Sequence, residues 1–421
     1  MTRSSGSAVT SSPANGRWSA RETFAALQYP NYRRWFAGQL ASLVGSWMQS
    51  TAQGFLVYEL TRSPAYLGYV GFASGITSWL FMLVGGVVAD RMSRRKLLTL
   101  TQSYMMLLAF VLSALSFAGL VRPWHILVLA AALGVGNAFD APTRLAFVPE
   151  LVDRRHLANA IALNGTMFTL ALVTGPTLAG LVYAWFGPSW CFLINGVSFL
   201  AVICALQTMK FGAVPTRPPR RAGLEEVREG LRFVAGSRTI RTLILSIGVG
   251  STCVLAFATL LPAWAVNVLG GDATTNGLLQ SARGLGALTG ALTVASLGTR
   301  PIKGKMFASG MILGPTLLLL FAFVRQVPLS LLTVAGVGWG MVLTFNLANA
   351  LVQTLVPDGL RGRVMSVYSL VFFGAFTIGS LLFGWVAEAA GEPLALLLGA
   401  AVALAFGVTA WFRAPHVRAL E

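Results

Sequence analysis

The chain has 421 residues, of which 55% are hydrophobic and only 11% charged. A soluble globular domain carries about 25% charged residues, so that class is excluded. The formal charge of +17 would suit a nucleic-acid binder, but 27 of the 31 Lys and Arg fall on one side of the apolar runs described next, which is the asymmetry of a membrane protein.

Residues 1–30 are expected to be a disordered cytoplasmic tail, because the first twenty are rich in Ser and Ala and have no apolar core of the kind a signal peptide needs. Spans need about 20 apolar residues each, and twelve such runs follow. They lie at 33–58, 66–89, 97–119, 124–148, 157–186 and 188–208, then at 239–268, 274–297, 305–324, 328–354, 363–389 and 393–414. The expected fold is all-α, with twelve transmembrane helices in two six-helix bundles, 31–209 and 239–414. Both termini, including the short tail 415–421, are expected in the cytoplasm of a bacterial cell. Three cations, Arg62, Arg122 and Arg325, fall in outer turns, and Arg283 falls within a span. Trp124, Trp185 and Trp190 sit near the outer interface, where aromatic rings are favoured.

The first span carries Gln39, Ser46, Trp47, Gln49 and Gln53. The turn after the second packs four cations and one carboxylate into residues 90–96, a density no span could hold. Gly86 and Asp90 share one face of the helix end, so the glycine would admit a neighbouring helix and Asp90 could bind free N–H groups at a helix start. The start of the eleventh span, at Gly362 and Arg363, is the expected dock. Arg91, Arg94 and Arg95 follow, and Arg94 can pair with a second carboxylate. A plain positive-inside loop is the alternative.

Asp140, near the cytoplasmic end of the fourth span, needs a partner, and Arg94 and Arg144 are the candidates. Two roles are open to it. One is a latch among Gly86, Asp90, Arg91, Arg94, Arg95, Asp140, Arg144 and Arg363; the other is a proton site. In the fifth span Pro176 removes a backbone hydrogen bond, and Gly175 and Gly180 permit close packing.

Residues 210–238 form the linker. Pro215, Pro218 and Pro219 make its start extended, and 224–234 reads as an amphipathic helix with Leu224, Val227, Leu231 and Val234 on one face. The halves are related at an offset of 204, which superposes Gly134, Gly136, Gly175 and Gly180 on Gly338, Gly340, Gly379 and Gly384. It also superposes Gly86 on Gly290, while Asp90 maps to Val294. In the second half Arg283 has no carboxylate within reach along the span, so a ligand bearing a carboxylate, phosphate, catecholate or hydroxamate is expected to meet it; a structural pair with a backbone carbonyl or polar side chain is the alternative. Asn137, Asn164, Trp339, Asn346 and Asn349 join the first-span residues as candidate lining of a cavity for amphipathic cargo. The three histidines lie far apart and no nucleotide-binding loop is present, so no metal, cofactor or enzymatic activity is expected. Cys191, Cys204 and Cys253 read as packing residues.

The turn from Gly86 through Asp90 and Arg91 to Arg94 and Arg95 resembles the loop 2–3 signature of the major facilitator superfamily, with Ser93 where that family usually has Gly. Three stretches narrow the resemblance: Gly38 to Gln49 with Tyr58 and Glu59; Asp140, Pro142 and Arg144 with Pro149 and Glu150; and Pro357, Asp358, Arg361, Gly362 and Arg363. They are similar to the branch containing enterobactin-type exporters, the transmembrane secretion effectors, over roughly residues 23–414. The segment from Gly175 to Gly180 resembles the antiporter signature of drug exporters. The resemblance implies a monomeric, proton-coupled exporter of siderophores, drugs or natural products working by alternating access. A lipid or lysolipid flippase of the same fold is one alternative. A non-transporting receptor or scaffold is another.

Overall fold

A computed structural model describes residues 23–209, 224–298 and 300–420. The tail residues 1–22, the prolines 215, 218 and 219 and the side chain of Leu224 lie outside the described residues. Twelve long helices follow in order: α1 (Pro30–Thr61), α2 (Pro64–Arg91), α3 (Arg94–Phe117), α4 (Pro123–Leu151), α5 (Leu157–Phe186) and α6 (Pro188–Thr208). After the linker helix Leu224–Gly236 come α7 (Arg238–Val268), α8 (Ala273–Leu297), α9 (Lys303–Phe323), α10 (Val327–Leu355), α11 (Asp358–Ala390) and α12 (Glu392–Arg413). Proline begins α1, α2, α4 and α6, where its missing N–H costs nothing and its fixed φ suits a first turn. Gly187 and Gly391, 204 residues apart, make the tight α5–α6 and α11–α12 turns at φ of 86° and 85°.

Ten of the twelve are long and apolar enough to cross a membrane by composition alone. The other two are α1, with its three buried glutamines, and α8, which holds Asn276, Gln280 and Arg283.

The repeat seen in the glycines is a repeat of packing. A Cβ on Gly134 would lie 2.2 Å from a backbone oxygen of α2, and one on Gly338 would lie 2.2 Å from a backbone oxygen of α8. Gly136 and Gly340 press on α3 and α9, Gly175 and Gly379 on α1 and α7, and Gly180 and Gly384 on α8 and α2. The contact expected at Gly86 is made instead by Gly85, whose Cβ would meet the Ala138 carbonyl oxygen at 2.1 Å, while nothing lies within 4 Å of a Cβ at Gly86. Gly85→Ala should therefore force α2 from α4 at a cost of about 1–3 kcal/mol and lower the thermal midpoint of detergent-purified protein, whereas Gly86→Ala should leave it unchanged.

The halves meet along two antiparallel seams, α2 against α11 and α5 against α8. Gly68, Gly71 and Gly75 lie on Gly384, Ser380 and Thr377, and the Trp79 indole N–H donates to the Leu370 carbonyl at 3.0 Å. Gly180 and Gly277 interlock, and the Ser281 hydroxyl donates to the Val173 carbonyl at 2.7 Å. Apart from the Trp79–Leu370 bond, which lies past midway toward the basic face, these contacts occupy the outer part of each seam, where the apolar cluster of the first half also takes in Ala263 and Ala273 of the second. Toward the basic face Gly86, Gly165, Gly359 and Gly362, one or more on α2, α5 and α11, have open space where a Cβ would project. The backbone contacts between the halves are thus concentrated away from the basic face.

Three expectations change at the margins. Order reaches back to residue 23: Ala26 is fully buried and its N–H donates to Asn159 Oδ1 at 2.8 Å. The linker helix docks on α11 through Gly230 and Val234, and Leu231, 52% exposed, points away from that contact. The last helical turn, Pro415–Arg418, folds back so that the Leu420 carbonyl accepts from the Gly304 N–H, 3.1 Å away.

Candidate functional site

Asp140 is 3% exposed on α4. Its Oδ1 accepts from Thr101 Oγ1 at 3.0 Å and Gln102 Nε2 at 2.8 Å, and Arg144, one turn on, lies 3.8 Å from Oδ2. A membrane-buried carboxylate is tolerated only when held in this way. Arg94 is not among its partners. Arg94 donates to Glu150 Oε1 at 2.6 Å and to the Ala146 carbonyl at 2.9 Å, tying the start of α3 to the end of α4. The reason is depth: Glu150 lies ten residues beyond Asp140, about 15 Å along the helix and level with the basic face. Arg95 reaches the end of α6, donating to the Gln207 carbonyl at 3.0 Å.

Asp90 and Arg91 are exposed and make no hydrogen bond or ion pair among the described residues. Arg363, at the expected dock for Asp90, is ion-paired with Glu229 of the linker helix. The residues expected in one latch are thus divided here among α3–α4, α3–α6 and α11–linker contacts, with Asp90 exposed outside all three.

The polar residues of α1 also divide. Gln39, Gln49 and Gln53 are buried within the first half. Gln49 Oε1 accepts from Asn195 Nδ2 of α6 at 2.7 Å, so it packs helices rather than lining a path. Gln39 Oε1 is enclosed without a partner. Asn137 and Asn346 are exposed, whereas Ser46, Trp47, Asn164, Arg283, Trp339 and Asn349 are half-buried. Trp47 meets Phe168 edge-on at 5.8 Å, the Trp339 indole N–H donates to Thr293 at 3.1 Å, and Asn349 accepts from Gln353. Gly175 presses on Trp47 and Val44 of α1, while the Pro176 carbonyl and Gly180 face Gly277 of α8, so the proline segment lies at the junction of α1, α5 and α8.

Arg283 lies at the level where the α5–α8 seam ends, beside Gly284, whose Cβ would meet the Leu172 carbonyl at 2.9 Å. Its Nε is enclosed and makes no hydrogen bond, and among the described residues no carboxylate pairs with the guanidinium. Asp272, the nearest acid along the chain, instead caps α8 by accepting from the Thr275 N–H at 3.0 Å. A desolvated guanidinium left in this way is suited to an anionic ligand. Among the described residues no three His, Cys, Asp or Glu side chains come together as metal ligands.

Sequence reasoning missed Glu388. This residue of α11 bonds to the start of α2, a contact between positions 325 apart that no local pattern could reveal. It also missed Glu150 as the partner of Arg94, although the equal depth of the two helix ends would have pointed to it.

Residues 21–421 match the transmembrane secretion effector family. The chain is 27% identical over 365 residues to the enterobactin exporter EntS of Citrobacter koseri, with 85% of each chain covered. It is 26% identical over 391 residues to the multidrug efflux pump Tap of Mycolicibacterium fortuitum, covering 91% of this chain and 95% of that one. Among solved structures, a bacterial homologue of the human lysosomal transporter Spinster superposes with a TM-score of 0.72 at 12% identity, covering 95% of this chain and 98% of that one. A bacterial homologue of the iron transporter ferroportin gives 0.66 at 19% identity, covering 90% and 98%.

Proposed function

The chain belongs to the transmembrane secretion effector family of the major facilitator superfamily and is a multi-pass transporter of small molecules, and from that premise we propose that it is a proton-coupled exporter of amphipathic, anionic cargo from the bacterial cytoplasm. The observation that carries the reading is the concentration of glycine-mediated contacts between the halves away from the basic face, with Arg283 on the α5–α8 seam ion-paired with no carboxylate among the described residues. By the positive-inside rule the basic face is cytoplasmic and both termini lie there. The conformation is then inward-facing and ready to accept cargo.

Export requires the basic face to close and the opposite face to open around the same site. Asp90 is free to enter that closure and dock on the start of α11, where unsatisfied N–H groups favour an anion. Arg363 would then exchange Glu229 for Asp90 as its partner. Asp140, held but ionisable, is the candidate proton carrier. Asn137, Asn164, Trp339, Asn346 and Asn349 are candidate contacts for the polar and aromatic parts of the cargo, with Ser46 and Trp47 from α1.

The test is transport by the purified protein in liposomes, with a siderophore-like catecholate and a cationic dye as trial cargoes. An imposed pH gradient should drive catecholate accumulation against its own gradient, and a proton uncoupler should abolish it. Movement that ignores the gradient would remove the coupling. Movement of fluorescent lysolipid in place of either cargo would favour a flippase.

A further inference from the structure

The α2–α11 seam ends at the outer face in a contact that has no counterpart at the other seam among the described residues. The turn before α2 is tight: Arg62 has φ of 52°, its N–H donates to the Tyr58 carbonyl at 2.7 Å, and the Thr61 hydroxyl oxygen accepts from the Ser63 N–H at 3.3 Å. Ser63 occupies the N-cap position of α2, yet its side chain does not cap the helix. Its hydroxyl donates instead to Glu388 Oε2 of α11, at 2.6 Å. The same oxygen accepts from the Ala65 N–H at 3.2 Å. Pro64 has no N–H, so Ala65 offers the first free donor of α2. The cap of a helix in one half is therefore supplied by a carboxylate of the other.

A carboxylate at a helix N-terminus is favoured both by its hydrogen bonds and by the helix dipole. Here the favour is conditional on closure. Immediately below, a Cβ on Gly68 would lie 2.8 Å from the Ser380 carbonyl, and one on Gly384 would lie 2.9 Å from the Gly68 Cα, so the helices are in backbone contact. The Trp385 indole N–H donates to the Tyr69 hydroxyl at 3.2 Å on the same rim. Parting α2 from α11 uncaps α2 and leaves the carboxylate without its two donors. The symmetric seam lacks this dependence: α8 is capped by its own Asp272, and the residue 204 positions before Glu388 is Ala184.

We infer that Glu388 is the outer latch of the transport cycle, a positioning residue whose charge holds the exit closed while the inner face is open. The inference rests on the alternating-access reading above, and the experiment separates the two. Ser380→Cys, within the seam, reports outer opening by reaction with a membrane-impermeant maleimide applied from outside. Gly86→Cys reports inner opening by reaction from the cytoplasmic side. Both are read over the background of the three native cysteines.

Glu388→Ala should raise the outer labelling rate about tenfold or more, as loss of a charged hydrogen bond would, and should lower inner labelling. Glu388→Gln keeps the shape and part of the bonding, so a smaller rise in the same direction is expected; it carries the test if the Ala variant does not accumulate. Ser63→Ala should raise outer labelling to an intermediate degree. Trp385→Phe, which removes a neutral hydrogen bond from the same rim, should change it less than twofold. Outer labelling that stays at the wild-type rate in both Glu388 variants would overturn the latch. A rise at Ser380→Cys with no fall at Gly86→Cys would keep Glu388 as the closing contact and overturn alternation.

Discussion

Export of anionic cargo should fall about 100-fold or more in Arg283→Gln, while export of neutral cargo of similar size continues. The magnitude follows from the usual cost of truncating one partner of a desolvated charge pair, about 2–5 kcal/mol. Among the described residues no carboxylate pairs with the guanidinium, and its Nε is enclosed without a hydrogen bond. On the proposed reading an anionic cargo completes the site, and the substitution removes what it would find. Arg283→Lys should retain partial activity, because the charge stays and the planar fork is lost. Paired uptake assays in liposomes, with a catecholate and a neutral analogue, measure the split. Equal loss for both cargoes, or none for either, would make Arg283 a packing residue of the α8–α10 contact, where its own carbonyl already meets Gly338.

Asp140→Asn should abolish uphill efflux and leave downhill exchange. Asn retains hydrogen-bonding capacity toward Thr101 and Gln102, so the α3–α4 contact should survive. What is lost is the charge facing Arg144 and the ability to bind and release a proton. The two assays differ only in the gradient: accumulation against cargo under a pH gradient, then exchange of labelled for unlabelled cargo at equal pH. Both falling together would assign Asp140 to structure alone. Uphill efflux that persists would place the coupled proton elsewhere.

The spans were legible because apolar length is read directly from the chain, and the glycine repeat was legible because a crossing of two helices tolerates nothing larger at its centre. The inward or outward face of α1 was harder to read. Gln39 and Gln49 look like cavity residues by type, but Gly38 and Gly45 press on α6, and Gln49 bonds to Asn195 of that same helix. Only the glycine spacing along α1 carried that information. Of the charges at the basic face, Arg144 lies beside Asp140, whereas Arg94 meets Glu150. Which carboxylate Arg94 meets depends on how α3 and α4 end, and Arg363 is taken by a linker helix that no periodicity placed beside α11. The interruption of α7 was not legible at all. After Gly250 its helical bonds widen at Ser251–Leu255 and tighten at Ala256–Leu260, under the packing of Thr252 and Thr259 on α11.

The two helices least suited to lipid, α1 and α8, pose a problem during synthesis. Each must leave the translocon before the neighbours that later shelter its amide and guanidinium groups are in place, and each such group near the centre of a lone span opposes insertion. For α1 this happens first, with Arg33 and Arg34 at its start to hold that end in the cytoplasm. For α8 the following span, α9, is strongly apolar and ends before the next loop at Phe323. Biogenesis is therefore expected to proceed by pairs, with α1 retained until α2 emerges and α8 until α9 does. The polarity that the finished bundle shelters would be borne, until each pair is complete, by the insertion machinery.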